Sequence, residues 1–263
     1  MYNKIHLAIS PCPNDTYIFY ALLKSKIGLS PYKIKYTLAD IQELNDFAIK
    51  GVPDVVKISV ATYPYVKKDY QLLRSGGALG WGCGPVLVAK DAKVFSKARG
   101  ARVAIPGRLT TAALLFSKYG LPSEELMELR YDLIMPAVAN GQLDAGVVIH
   151  EGRMTYQSYN LDKIVDLGQW WEQRTGLPIP LGVIVARRNM AEGFSDWIED
   201  KIKESLDFAH NSPQEAWQFI KENAQEIDEA IITKHIENFV TKYSFDMGQE
   251  GLQAINDLIE RDW

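Results

Sequence analysis

The chain has 263 residues, 47% of them apolar and 24% charged, which supplies a sizeable core and excludes a disordered or fibrous protein. A formal charge of -4, with no Lys/Arg cluster interleaved with aromatics, argues against a nucleic-acid partner. No apolar run approaches the ~18 residues of a membrane span, and "MYNKIHLAIS" carries no secretory pattern, so a cytoplasmic protein without a membrane partner is expected.

Read in chain order, "KIHLAIS" has the pattern of a short buried strand, and "DTYIFYALLKSKIG" that of a helix stopping at Gly28. "YKIKYTLA" alternates as a second strand. "DIQELNDFAIKG" places Ile41, Leu44, Phe47 and Ala48 on one helical face, with Gly51 as its stop, and "DVVKIS" follows as a buried strand. The order βαβαβ indicates a parallel sheet.

The same grammar returns further along. "RVAIPGRLTTAALLF", Arg102 to Phe116, repeats apolar strand, proline-bearing turn, polar cap and apolar helix. "AVANGQLDAGVVIH" echoes "AIKGVPDVVKIS": helix end, Gly, two residues, Asp, then a strand. Between these halves "SGGALGWGCGPVLVAKD" leads through glycines into a strand, and "PLGVIVARR" forms another strand from Pro180. Amphipathic helices follow Phe194, with Ser195 and Pro213 as starts. The expected architecture is α/β and two-lobed, with hinge strands and a helical C-terminal tail. Residues 1–91 with 181–263 form lobe one, residues 92–180 form lobe two, and the cleft between them is the ligand site.

In open parallel sheets, ligands bind beyond the carboxyl ends of the strands, where helix N-termini also point. Four segments converge there: the turn after Ser10, the end of "DVVKIS", the turn before Thr111 and the end of "DAGVVIH". The first is no phosphate loop, because Pro11 and Pro13 have no N–H to present. It offers the N–H groups of Asn14, Asp15 and Thr16 and the hydroxyl of Ser10 to a carboxylate or sugar hydroxyl, or else Asn14 or Asp15 caps its own helix. "GRLTTAALL" offers a second N-terminus, with Thr110 or Thr111 as cap. Two such termini across one cleft suit an anionic small molecule, each contributing roughly 0.3–1 kcal/mol.

His150 closes the apolar run "AGVVI" at the carboxyl end of a central strand, and an imidazole there suits proton transfer near neutrality. His6, on the first strand, and His210 and His235, on tail helices, read as structural or solvated. Lys57 and Ser59 end the matching strand of lobe one, where a lysine in an apolar run should reach water or a partner. Trp81 in "GWGCG" either stacks on a flat ligand or belongs to a hinge turn, and "QWWEQRTG" is either helix packing or a cleft wall. Cys12 and Cys83, without CxxC or histidine spacing, read as reduced thiols, with no metal site indicated.

"SPCPNDTYIFYALL", "VVKIS", "GCGPVLVAK", "GVVIHEGRMTY" and "WWEQRTGLPIPLG" together resemble the 1,4-dihydroxy-6-naphthoate synthase family of the futalosine route to menaquinone. The resemblance runs in order from Ser10 to about Gly182; the tail carries little of it, and Val60 and Trp81 have no match. It implies a type II periplasmic-binding-protein-like fold and a lyase that converts cyclic dehypoxanthine futalosine to 1,4-dihydroxy-6-naphthoate with loss of a sugar-derived fragment. It implies no metal or organic cofactor. Carried over by position, His150 would be the base, while Lys57, Ile58, Ser59, Thr111 and Ala112 would bind substrate; Ser10 and Asn14 are added from the opening turn. The competing expectations are the sister chorismate dehydratase and a small-molecule binding module without chemistry.

Overall fold

The structure is a computed structural model that describes residues 3–95, 100–121, 125–225 and 228–261. The first half-repeat runs β1 (Asn3–Ile9), α1 (Pro13–Leu23), β2 (Tyr32–Leu38), α2 (Ile41–Ile49) and β3 (Val55–Ser59). A short α3 (Tyr63–Val66) and two small strands, β4 (Tyr70–Leu72) and β5 (Ala78–Gly80), follow. The second half runs β6 (Val86–Ala89), α4 (Ala92–Phe95), β7 (Arg102–Ile105), α5 (Thr111–Tyr119), β8 (Glu125–Glu128), α6 (Tyr131–Ala139) and β9 (Ala145–Val148). It ends with α7 (Gly152–Thr155), β10 (Asp162–Asp166) and α8 (Leu167–Thr175). The long β11 (Ile179–Arg187) then leads to α9 (Phe194–Asn211), α10 (Pro213–Asn223), α11 (Glu229–Phe239), α12 (Lys242–Phe245) and α13 (Gly248–Glu260).

Two sheets result. The first has the order β2-β1-β3-β11-β4, with β5 also paired to β11; the second has the order β10-β6-β9-β7-β8. Within each, the repeated βαβ portion is parallel: β2, β1 and β3 in one, β8, β7 and β9 in the other. The returning strands are antiparallel, β11 against β3 and β6 against β9. Because Val86–Ala89 pairs in the second sheet, the chain leaves the first sheet at 81–85, ahead of the 91/92 boundary read from the sequence. It returns through α8, so that Ile179 lies opposite Gly80.

The two crossings touch. A Cβ placed on Gly84 would lie 2.3 Å from Gly168 Cα, so this backbone approach requires glycine. Arg153 pins the junction, donating to Gly84 O at 2.5 Å and to Asp166 Oδ2 at 3.2 Å.

Helix α1 is buried on every side, which explains a run as uniformly apolar as "YIFYALL". One face meets the sheet through Ile5, Leu7 and Ile9, and the tail helices α9, α10 and α11 cover the other. The helix stops at Leu23, short of the expected Gly28. Ser25 takes the left-handed conformation (φ 51°), and the Lys26 N–H turns back onto Ala21 O at 2.8 Å. The termination is made by backbone bonds around Ser25, leaving no role for Gly28 as a stop. Helix α2 follows its sequence pattern closely, with Asp40 and Glu43 forming a capping box and Gly51 (φ 64°) just beyond its end. Among the described residues, no helix is long and apolar enough to cross a membrane.

Candidate active site

A cavity open to solvent lies between the lobes at the carboxyl ends of β1, β3 and β9. Its walls include Ser10, Asn14, Lys57, Ser59, Thr111, Ala112 and His150, so seven of the eight residues expected at the site come together there. Ile58 does not. Strand alternation turns its side chain away from Lys57 and Ser59, and it is fully buried in the core with its backbone paired to Val183.

The lobe-one wall is built around Asp15. Lys57 Nζ lies 2.6 Å from Asp15 Oδ1, with the two side chains 5% and 1% exposed. Asn14 Nδ2 donates to the same oxygen at 2.8 Å, while Ser10 donates to Oδ2 from Oγ at 2.7 Å and from its backbone N–H at 3.2 Å. Four donors on one buried carboxylate satisfy its lone-pair capacity. The lysine expected to reach water or a partner therefore finds a partner, in an interior ion pair on a central strand. The Ser10 hydroxyl also accepts from Cys12 N at 3.3 Å and has spent its proton on Asp15, so it is not the free donor that the sequence suggested.

Cys12 is the N-cap residue of α1, and neither Asn14 nor Asp15 caps the helix with its side chain. Thr16 N–H bonds to Cys12 O at 3.0 Å, whereas the N–H groups of Asn14 and Asp15 have no partner among the described residues. Helix α5 repeats the arrangement in lobe two. Thr110 is its cap, accepting from Ala113 N at 3.2 Å, and the N–H groups of Thr111 and Ala112 are left without partners among the described residues. Each lobe thus brings the positive end of a helix, with two available N–H groups, to the cavity. The Thr111 hydroxyl is engaged elsewhere, donating to Leu181 O at 2.7 Å across the lobe junction.

Ser59 keeps a usable proton. Its Oγ accepts from Asn45 Nδ2 at 3.1 Å and its N–H donates to Asn45 Oδ1 at 2.8 Å, leaving the hydroxyl hydrogen for a ligand. Asn45 also reaches Leu109 O at 3.3 Å, tying α2 to the turn before α5. The sequence reading did not single it out. Its signal was an asparagine on the apolar stripe of α2, one turn after Ile41 and beside Leu44 and Ala48.

His150 follows β9, the middle strand of the second sheet, in a left-handed turn (φ 54°), and is half-buried. Its Nδ1 lies 3.5 Å from Cys12 Sγ on the opposite lobe. Tyr131 meets the ring edge-on at 4.9 Å, and His235 stacks on it at 6.1 Å. Burial pushes the His150 pKa down to about 4, with Asp15 opposing and Lys57 reinforcing the shift, so the imidazole is neutral at pH 7. Burial, and then Glu151 and Asp15, push the Cys12 thiol well up, and burial pushes Cys83 up to about 12. The pair is therefore a neutral thiol and a neutral imidazole. Both cysteines are free.

His235 was read as structural or solvated; it is 1% exposed and bonds through Nε2 to Asn14 Oδ1 at 3.0 Å, bringing the helical tail to the site. Trp81 is half exposed and does not line the cavity. Trp171 of "QWWEQRTG" is wholly buried and donates to Pro178 O at 3.1 Å, so that segment is helix packing. Among the described residues, no group of three or more His, Cys, Asp or Glu side chains is arranged to hold a metal ion.

Two α/β lobes joined by paired crossings, with helix N-termini facing a cleft, define the type II periplasmic-binding-protein-like class. The ligand-binding component of an ABC-type import system from Staphylococcus aureus shares this fold, with a TM-score of 0.72 at 14% identity, over 98% of this chain and 91% of that one. A crystal structure of a protein from Archaeoglobus fulgidus superimposes with a TM-score of 0.91 at 32% identity, covering 98% and 96% of the two chains. A Thermus thermophilus protein named 1,4-dihydroxy-6-naphtoate synthase is 44% identical over 251 residues, 95% of this chain and 91% of its own. The family described as menaquinone biosynthesis matches residues 5–262, and the chain belongs to it.

Proposed function

We propose that the protein is a 1,4-dihydroxy-6-naphthoate synthase, a lyase that converts cyclic dehypoxanthine futalosine to 1,4-dihydroxy-6-naphthoate with release of a sugar-derived fragment. The observation that carries this reading is the placement of neutral His150 on a cavity that also receives the free N–H groups of α1 and α5. The name borne by the Thermus thermophilus relative supports it. The substrate's aromatic carboxylate suits the helix N-termini, and Ser59 has a hydroxyl hydrogen for a second polar group. His150 takes a proton from the substrate, and the electron pair left behind expels the sugar-derived fragment as the new ring becomes aromatic. Contacts already made across the lobes, Cys12 to His150 and Thr111 to Leu181, hold the two walls of the cavity together. In this reading the enzyme works in the cytoplasm on a small anionic substrate.

Incubation of the purified protein with cyclic dehypoxanthine futalosine should produce naphthoate fluorescence, and incubation with chorismate should produce no dehydration. The variant His150→Ala should lose turnover while binding substrate with nearly unchanged affinity. Dehydration of chorismate would establish the sister activity instead. Near-normal turnover by His150→Ala would remove His150 from the role of base, and tight binding of the substrate without turnover by the wild type would favour a binding module.

A further inference from the structure

The C-terminal tail contributes to the site through α11, where Phe239 lines the cavity and His235 reaches Asn14 behind its wall. His235, on α11, is buried, stacks on His150 and bonds through Nε2 to Asn14 Oδ1 at 3.0 Å. The other end of the same amide donates to Asp15 Oδ1 at 2.8 Å. A carboxylate can only accept, so the amide nitrogen must face Asp15 and the amide oxygen must face His235. That fixes the histidine in turn: Nε2 carries the hydrogen and donates. Its Nδ1 is buried without a hydrogen-bond partner, 3.7 Å from Glu151 Oε2, as a neutral ring protonated on Nε2 would leave it. Burial, and then His150 and Lys57, hold the His235 pKa well below its ordinary value, consistent with a neutral ring.

We propose that His235 is a positioning residue: by donating from Nε2 it locks the Asn14 amide with its NH2 group on Asp15, and so holds the opening turn of α1 and the Asp15–Lys57 pair in register with the cavity. Without that donor, the amide is held only by its bond to Asp15, and the Asn14 side chain gains freedom to rotate. Rotation would withdraw one of the four donors from Asp15 and move the cavity wall on which the free N–H groups of Asn14 and Asp15 sit. The role is one step removed from substrate, since His235 does not line the cavity and Asn14 does.

The inference rests on the synthase reading only for its activity test. His235→Leu should lower kcat/KM by about 10- to 100-fold, the scale of a misplaced catalytic wall. His235→Gln, whose amide can donate from nearly the same place, should recover to within about fivefold of wild type. In the background of Asn14→Ala, adding His235→Leu should cause little further loss, because the effect travels through that amide. Wild-type turnover by His235→Leu, equal losses in the Leu and Gln variants, or losses that multiply in the double variant would overturn the proposal. 15N NMR of the histidine rings in the wild-type protein decides the geometry without any turnover: the Nε2–H form is expected at neutral pH, and the Nδ1–H form would overturn it. Failure of the wild type to turn over cyclic dehypoxanthine futalosine would count against the synthase reading alone, with the tautomer still deciding the role of His235.

Discussion

Lys57 and Asp15 form an ion pair at 2.6 Å with almost no exposure to solvent, at the wall of the cavity where substrate is proposed to bind. Two charges are desolvated together, and each is tolerable only because of the other. The pair also neutralises the carboxylate beside the N-terminus of α1. An anionic ligand therefore meets helix N–H groups there without an opposing net charge.

The first prediction follows from that pairing. Lys57→Met leaves the Asp15 carboxylate with hydrogen-bond donors but no cation, and removing one partner of a buried pair costs about 3–5 kcal/mol. Urea denaturation should show a loss of that order. The double variant Lys57→Met with Asp15→Asn should regain most of it, because no uncompensated charge remains, while turnover stays low in both. Equal stability of the single variant and the wild type would show that the pair is not buried in solution.

The pH dependence of the reaction offers the second. In the free enzyme His150 stays neutral down to about pH 4 because burial disfavours its charged form, so the acidic limb of kcat/KM should lie well below the 6.5 of an ordinary imidazole. A bound carboxylate favours the imidazolium and raises that pKa. The acidic limb of kcat, which reports the enzyme–substrate complex, should therefore lie at higher pH than the limb of kcat/KM. The reverse order in a pH–rate study would be incompatible with an anionic substrate beside His150.

Much of this site was legible in the sequence because strand-and-helix grammar fixes where strand ends lie. His150 after "AGVVI", Ser59 after "VVKI" and the turns before the two apolar helices all fell on one cavity. What escaped the sequence were contacts made across it. Cys12 meets His150 138 residues away, and His235 meets Asn14 221 residues away, separations at which no local period carries information. The antiparallel strand β6 was grouped with lobe one for a related reason, whereas β11 was placed in its own sheet. "PVLVAK" is as apolar as any buried strand, and only its pairing with β9 places it in the second sheet. Ile58 was grouped with its neighbours by family position, whereas the pleat of β3 turns it into the core.

Stability should also depend on pH, with a definite sign. His150 and His235 are neutral in the folded protein and have depressed pKa values, the first to about 4, with burial as the leading cause for both. Between pH 6.5 and 4 the unfolded chain therefore binds more protons than the folded one, and stability falls as pH falls through that window. The urea midpoint should drop from pH 7 toward pH 4.5, and His150→Gln should flatten the slope. A midpoint independent of pH over this range would mean that these rings are solvated.

The last prediction concerns the junction between the lobes. Gly84 and Gly168 come together where the chain crosses from the first sheet to the second and back again, and a Cβ on Gly84 would lie 2.3 Å from Gly168 Cα and 2.8 Å from its N. Backbone atoms cannot rotate aside as a side-chain tip can, so Gly84→Ala must drive the two crossings apart. The Arg153 bonds to Gly84 O and Asp166 would be strained by the same displacement. A stability loss of about 1–3 kcal/mol is expected from overpacking. Because the crossings set the relation of one lobe to the other, turnover should fall further than stability alone explains, with KM rising as the α1 and α5 N-termini lose their common spacing. Gly82→Ala is the control: its Cβ would meet nothing within 4 Å, although its φ of 65° makes it strained too. Thermal melts and steady-state kinetics on the two variants separate the effects. A pure stability loss in both, with KM unchanged for Gly84→Ala, would show that the crossings can separate without altering the cleft.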